Sequence, residues 1–157
     1  MESKKISCYS TKEIAEITAM APRRVTFYTD QGVVTPEVDV GAGRGKVRRY
    51  SFHNLLQFQI IKCLADLGMT ISKVKLIINY LDKHNIVRQY EEHKLHEKGL
   101  QLFIKLFPRE DGKTAAGWTL ISDESDTLPV LKPSEMTDFE TCVIINFARI
   151  VDTVNKK

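Results

Sequence analysis

No apolar run in this chain approaches the ~18 residues that a membrane-spanning helix needs, and Met1-Glu2-Ser3-Lys4-Lys5 leads into no apolar stretch of the kind that marks a secretion signal. Cysteine is scarce and scattered. Cys8, Cys63 and Cys142 form an odd set with no framework spacing, which argues against a disulfide-stapled secreted scaffold and fits a reducing compartment. A strong charge of either sign is also missing: the formal net charge is only +3. These absences lead us to expect a cytoplasmic protein with no membrane partner. Hydrophobic residues at 43% and charged residues at 27% indicate a folded globular chain rather than a disordered one.

The small net charge hides an asymmetry. Residues 1–80 carry twelve basic against seven acidic side chains, whereas residues 81–157 carry eleven against thirteen. Glycine, with eight residues in all, gathers where the positive charge does, in Val40-Gly41-Ala42-Gly43-Arg44-Gly45-Lys46-Val47-Arg48-Arg49-Tyr50. Glycines at 41, 43 and 45 permit the positive-φ turn of a tight ribbon. Arg44, Lys46, Arg48 and Arg49 place four cations within six positions, the density that phosphate neutralisation requires. A positive front half and a mildly acidic back half suit a nucleic-acid reader joined to another module.

Two short helix patterns precede the ribbon. Ser10-Thr11-Lys12-Glu13 spells a capping box. Ile14, Ala15, Ile17 and Thr18 then give one apolar stripe, and Ala19-Met20-Ala21 makes a turn. Pro22 suits the first position of a second helix, which carries Arg23 and Arg24 near its start, buries Val25, and stops at Gly32. Arginine at a helix N-terminus opposes the helix dipole, so its presence favours a functional reason such as a guanine or phosphate contact. Phe27 and Tyr28 are adjacent and cannot both point inward; one belongs to the core and one to a groove. Tyr50 reads as a core anchor between ribbon and helix. Ser51 and Thr70 can cap two longer amphipathic helices, with apolar sets Leu56, Ile60, Cys63, Leu64, Leu67 and Ile71, Val74, Ile78, Leu81, the first ending at Gly68. Helix, turn, arginine-bearing helix and basic hairpin is the layout of a winged helix-turn-helix.

At this point the chain resembles the MerR family of bacterial transcriptional regulators. The matching residues are Ile14-Ala15, then Met20-Ala21-Pro22-Arg23-Arg24-Val25-Thr26-Phe27-Tyr28-Thr29-Asp30-Gln31-Gly32-Val33-Val34. Arg48-Arg49-Tyr50-Ser51 and Leu64-Ala65-Asp66-Leu67-Gly68-Met69-Thr70-Ile71 follow in the family's order. The resemblance covers about Tyr9 to Leu81. It implies an N-terminal winged helix-turn-helix domain of MerR type (6–81) followed by a connecting or dimerisation helix (82–98); with the small α+β module (99–157) that the pattern of the back half suggests, the expected fold class is α+β. The resemblance further implies a homodimer on double-stranded DNA, with RNA polymerase as a further partner. Arg23, Arg24, Thr26, Phe27 and Tyr28 fall on the recognition helix, Arg44, Lys46, Arg48 and Arg49 on the wing, and Thr11 at the start of the first helix. Thr26 stands where most members have a basic residue, and Ala19 replaces the usual turn glycine. The glycine-rich wing sets the chain apart from the metal-sensing members.

The back half is read from its pattern alone. Asn85 to Lys98 is either an extension of the preceding helix or a separate short helix after a break at His84-Asn85. It lacks sustained heptads. Leu100 to Phe107 and Trp118 to Ile121 read as strands, Leu128 to Leu131 as an edge strand, and Asp123 to Asp126 as an acidic turn. Cys142 to Phe147 reads as a strand followed by a helix over Arg149 to Val154; a single long helix opened by a Thr137–Glu140 capping box is the alternative. Gly112-Lys113-Thr114 superficially suggests a phosphate-binding loop, but Phe107 occupies the first glycine position, and a hairpin turn fits better.

His93 and His96 stand i, i+3 beside Glu92 and Glu97; this is read as a solvated face, and no metal or other cofactor is expected. No residue set suggests catalysis, so no enzyme is expected. A DNA-bending architectural protein of excisionase type, and an antitoxin-like interaction module, are the alternatives to a regulator.

Overall fold

The computed structural model describes residues 8–39, 47–92, 101–108, 110–121 and 141–155. The chain divides between Asn79 and Tyr80 into two units. In the first, a two-residue strand β1 (Tyr9–Ser10) leads into α1 (Thr11–Thr18) and α2 (Pro22–Asp30). Strand β2 (Arg49–Tyr50) and the long helix α3 (Phe52–Asp66) follow, and α4 (Ile71–Lys83) crosses the division. The second unit continues with α5 (Ile86–Glu92), β3 (Gln101–Pro108), β4 (Thr114–Ile121), β5 (Thr141–Ile145) and α6 (Phe147–Asn155). The fold is α+β with a winged helix-turn-helix at its N-terminal end, as the sequence pattern predicts.

Local signals set the helix ends. Ser10 Oγ accepts from the Glu13 amide at 3.3 Å while the Glu13 carboxylate takes the Ser10 amide at 2.7 Å, which completes the capping box. Ser51 repeats the arrangement on α3 with Asn54 as its partner. Helices α1, α2 and α3 then stop in the same way. In each, a left-handed residue turns the chain so that two successive amides return to carbonyls of the last turn. At α1, Ala19 (φ 55°) bonds to Glu16 and Met20 to Ala15; at α2, Gly32 (φ 63°) bonds to Thr29 and Val33 to Tyr28. At α3, Gly68 (φ 79°) bonds to Ala65 and Met69 to Leu64. Met20 and Val33, the residues just past the first two stops, are buried and pin these turns to the core.

Helix α3 is the axis of the first unit. Leu55, Leu56, Phe58, Ile60, Ile61 and Leu64 are all at most 1% exposed, and His53, Asn54 and Gln57 are buried with them. A helix covered on most of its circumference must lie inside its domain. Each large apolar side chain so buried stabilises the fold by roughly 1.5–3 kcal/mol before entropy is counted. Ile14 of α1, Val25 and Tyr28 of α2, and Tyr50 of β2 join this core.

The extended segments form a three-chain ribbon. Ser10 pairs with Arg49 and Tyr9 with Tyr50, antiparallel, and on the other side Asp39 and Arg49 exchange amide–carbonyl bonds of 3.1 and 2.9 Å. This is the base of the predicted hairpin. The glycine tip and its cations Arg44 and Lys46 lie outside the described residues.

In the second unit β3 is central, with β4 and β5 antiparallel on its flanks. Ile104, Leu106 and Ile145 are buried, as are Ile150, Val151 and Val154 of α6, which lies against β3. Gly112 (φ 74°) turns the β3–β4 hairpin, so Gly112-Lys113-Thr114 is a turn and not a phosphate loop. Asn85 (φ 51°) separates α4 from α5, which favours the separate-helix alternative for that segment.

The predicted split of the last segment into strand and helix is found with shifted bounds. The strand ends at Ile145, and Asn146 caps α6 by accepting from the Arg149 amide at 3.0 Å, so the helix starts at Phe147, two residues earlier than predicted. The predicted 123–126 turn, the 128–131 strand, the Thr137–Glu140 box, His93, His96 and Glu97 lie outside the described residues. Among the described residues no helix is long and apolar enough to cross a membrane, and no group of His, Cys, Asp and Glu side chains is placed to hold a metal ion.

Candidate nucleic-acid interface

Helix α2 begins at Pro22 with no side-chain cap. Ala21 at the N-cap has no side-chain acceptor, and Pro22 at the first position has no amide that needs one. Val25 and Tyr28 turn inward, at 0% and 6% exposure. The 3.6-residue period then forces Arg23, Thr26, Phe27 and Asp30 (i, i+3, i+4, i+7) onto the opposite face. Arg23 and Phe27 are exposed on it, Thr26 is half-exposed, and Arg24 flanks it half-exposed. Phe27 leaves 47% of its surface in water, an apolar area with no core role, and its ring meets the buried Tyr28 ring edge-on at 5.6 Å. The adjacent aromatics therefore divide as the sequence requires. Tyr28, counted with the contact residues on resemblance, is the core member, and its ring is not available to a groove. Among the described residues, neither Arg23 nor Arg24 has a carboxylate within ion-pair distance.

The far end of α2 is tied down at three points. Thr29 Oγ1 donates to the Val25 carbonyl and lies 3.0 Å from the Tyr50 hydroxyl, beneath the ribbon. Tyr50 is fully buried and stacks edge-on with Phe58 at 5.4 Å, which makes it the anchor between ribbon and helix that its position predicts. Outside, Arg48 Nη2 donates to Asp30 Oδ1 at 2.6 Å. Lys75 of α4 places its ammonium 2.8 Å from the Gln31 carbonyl, where the negative end of the helix dipole favours a cation.

Asn54 ties the loop from α2 to the ribbon onto the start of α3. Asn54 is 1% exposed. Its Oδ1 accepts from the amides of Glu37 (2.9 Å) and Ser51 (3.2 Å), and its Nδ2 donates to Thr35 O (3.1 Å) and Gln57 Oε1 (2.8 Å). All of its hydrogen-bonding capacity is spent on fixing the loop and the start of α3.

The predicted wing cations have different settings. Arg49 is exposed and close enough to Glu13 to help hold that carboxyl ionised, below its ordinary range; the Ser10 amide and hydroxyl bonds are the larger causes. Arg48 is half-buried and paired with Asp30, so its charge is already matched. Thr11 is half-exposed at the first position of α1.

Sequence reasoning missed Thr29, Asp30, Asn54 and Lys75. Two of these carried signals. An acid in the last turn of α2 opposes the helix dipole and so called for a partner. Asn54 stands three residues after Ser51, where a capping box places its second member. Thr29 and Lys75 carried none, because their partners are 21 and 44 positions away.

An uncharacterised HTH-type transcriptional regulator of Mycobacterium tuberculosis (strain ATCC 25618 / H37Rv) is 24% identical over 78 residues, which is 50% of this chain and 35% of that protein. A multidrug-efflux transporter 2 regulator of Bacillus subtilis (strain 168) is 24% identical over 98 residues, 62% of this chain and 33% of that one. The chain thus spans about a third of the length of these curated relatives. A solved structure of HiNmlR, described as a MerR family regulator lacking the sensor domain and bound to promoter DNA, superposes with a TM-score of 0.39 and 19% identity. That match covers 58% of this chain and 75% of that one. Residues 9–81 match the family described as MerR HTH family regulatory protein, and by that match this part of the chain belongs to the MerR family.

Proposed function

We propose that the chain is a transcriptional regulator that binds double-stranded DNA as a homodimer. Helix α2 enters the major groove through Arg23, Arg24 and Phe27, with Thr26 beside them, and the basic ribbon lies on flanking phosphates. Thr11 sits close to the backbone at the start of α1, and two copies address the halves of a two-fold-related site. The observation that carries this reading is the outward stripe of α2. It presents guanidinium groups, which can pair in a fork with guanine O6/N7 or with phosphate, next to an aromatic ring kept in water. A thymine methyl is the apolar partner that a groove offers to such a ring.

Arg49, Arg44 and Lys46 add the backbone contacts, for which closely spaced cations are the requirement. No catalytic role is proposed. The second unit, a three-stranded antiparallel sheet with α6, belongs to the part of the protein that binds an effector, a partner or the second copy.

Selection of genomic fragments by the full chain, followed by footprinting, tests the reading. A recovered site with two-fold symmetry and half-sites spaced by about one helical turn is the expected result. Arg24→Ala should weaken binding to that site more than to mixed-sequence duplex. Equal losses on both would reduce Arg24 to a phosphate contact, and failure to retain any duplex would overturn the reading.

A further inference from the structure

The outward stripe of α2 ends on an acid, which is the wrong sign for a surface meant to lie near phosphate. Asp30 is the last residue of α2, one turn beyond Phe27. Its position there is also unfavourable to the helix dipole. Its carboxylate takes Arg48 Nη2 at 2.6 Å, with the arginine side chain 30% exposed and the aspartate 50% exposed.

The arm that carries Arg48 is held in place. Arg49, the next residue, is paired through its main chain with Asp39 and opposite Ser10. Successive side chains of an extended arm point to opposite sides. Arg49 accordingly acts on Glu13 at the start of α1, while Arg48 is directed to the end of α2. Two adjacent arginines thus have opposite settings: one exposed on the ribbon, the other neutralised against the recognition helix.

We propose that Asp30 is a specificity-determining positioning residue: by holding Arg48 it withholds one cation from the phosphates of unselected DNA and fixes the ribbon to α2. The proposal rests on the reading of the chain as a duplex-binding regulator. Sequence-independent affinity grows with each cation free to displace a counterion, whereas discrimination comes from groups held at fixed places. An ion pair between reading helix and ribbon trades the first for the second. The pair is neutral as a unit, and its geometry makes α2 and the return arm of the ribbon move together.

The test uses the full chain and a labelled mixed-sequence duplex titrated across a potassium chloride series, with a fragment recovered by the wild-type chain as the second ligand. Asp30→Asn should bind the mixed-sequence duplex several-fold more tightly. Its log–log salt slope should steepen by about 0.9, the increment for one further phosphate contact. Preference for the recovered fragment should fall. Adding Arg48→Gln to Asp30→Asn should return the slope to the wild-type value. Asp152→Asn, which removes an exposed acid from the second unit, controls for net charge alone and should leave the slope unchanged.

An unchanged slope in Asp30→Asn, a steepening that survives Arg48→Gln, or an equal steepening in Asp152→Asn would each overturn the proposal while DNA binding stands. A wild-type chain that retains no duplex would remove both readings together.

Discussion

The Tyr50 hydroxyl donates to Thr29 Oγ1 at 3.0 Å, because the threonine's own proton is committed to the Val25 carbonyl. This bond joins the end of the ribbon to the end of α2 in a part-buried setting, with the Tyr50 side chain itself fully buried. Tyr50→Phe should therefore cost about 1 kcal/mol, the loss of a single hydrogen bond. Tyr50→Ala should cost about 3–5 kcal/mol, since the ring against Phe58 goes as well. Urea denaturation of both variants checks the pair; similar losses for the two would show that the hydroxyl, not the ring, carries the anchor.

Asn54 should tolerate no replacement. Asn54→Ala leaves the amides of Glu37 and Ser51, the Thr35 carbonyl and Gln57 Oε1 each short of a partner, and a loss of about 2–4 kcal/mol is expected. Asn54→Asp keeps the two accepted bonds but turns a charged oxygen toward Thr35 O and Gln57 Oε1. It should be at least as damaging as alanine. A thermal shift of either variant within that of a typical surface change would refute the hub.

Ala19 and Gly32 occupy the same left-handed place in successive helix stops, and their exchange predicts opposite signs. Ala19→Gly relieves a conformation that costs an L-residue about 1 kcal/mol, partly offset by the entropy that glycine adds to the unfolded chain, so a small gain in stability is expected. Gly32→Ala should lose about 1 kcal/mol. Among the described residues a β-carbon there would meet only the Lys75 ammonium, at an ordinary 3.6 Å, so the cost is conformational and not steric. Both are read from chemical denaturation, and stabilisation of the domain by Gly32→Ala would contradict the assignment.

Glu13 gives the fold an acid sensitivity. Its carboxyl is held below the ordinary carboxylate range, first by the Ser10 amide bond, then by the Ser10 hydroxyl, with Arg49 adding to them. A depressed folded-state value means that the stabilisation is complete above the unfolded value, about 4.3, and is lost as pH falls through the lower folded value. Wild type and Glu13→Gln should differ in melting temperature at neutral pH and converge in acid. A constant difference across that range would show that the carboxylate charge is not involved.

Much of the first unit was legible because its determinants are local. The Ser10 and Ser51 caps, Pro22, the Gly32 and Gly68 stops and the division of Phe27 from Tyr28 depend on neighbours within one helical turn. Tyr50 as anchor was legible too, from its place between ribbon and helix. Its partner Thr29 was not, since nothing between these two residues, 21 positions apart, records that the two hydroxyls meet. Arg48 shows the same limit from the other side: counted with the wing cations on spacing alone, it is paired with an aspartate 18 positions earlier. At the end of the chain the β-branched run Val143-Ile144-Ile145 marked the strand correctly. The cap at Asn146, overlooked, would have placed the helix start.

Strand β2 is only two residues long, yet Arg49 has a neighbour on either side, Ser10 across one flank and Asp39 across the other. Its main chain leaves no open seam on which a strand from another molecule could zip. At Arg49 both flanks are taken, so edge-to-edge addition of a foreign strand is blocked at that position.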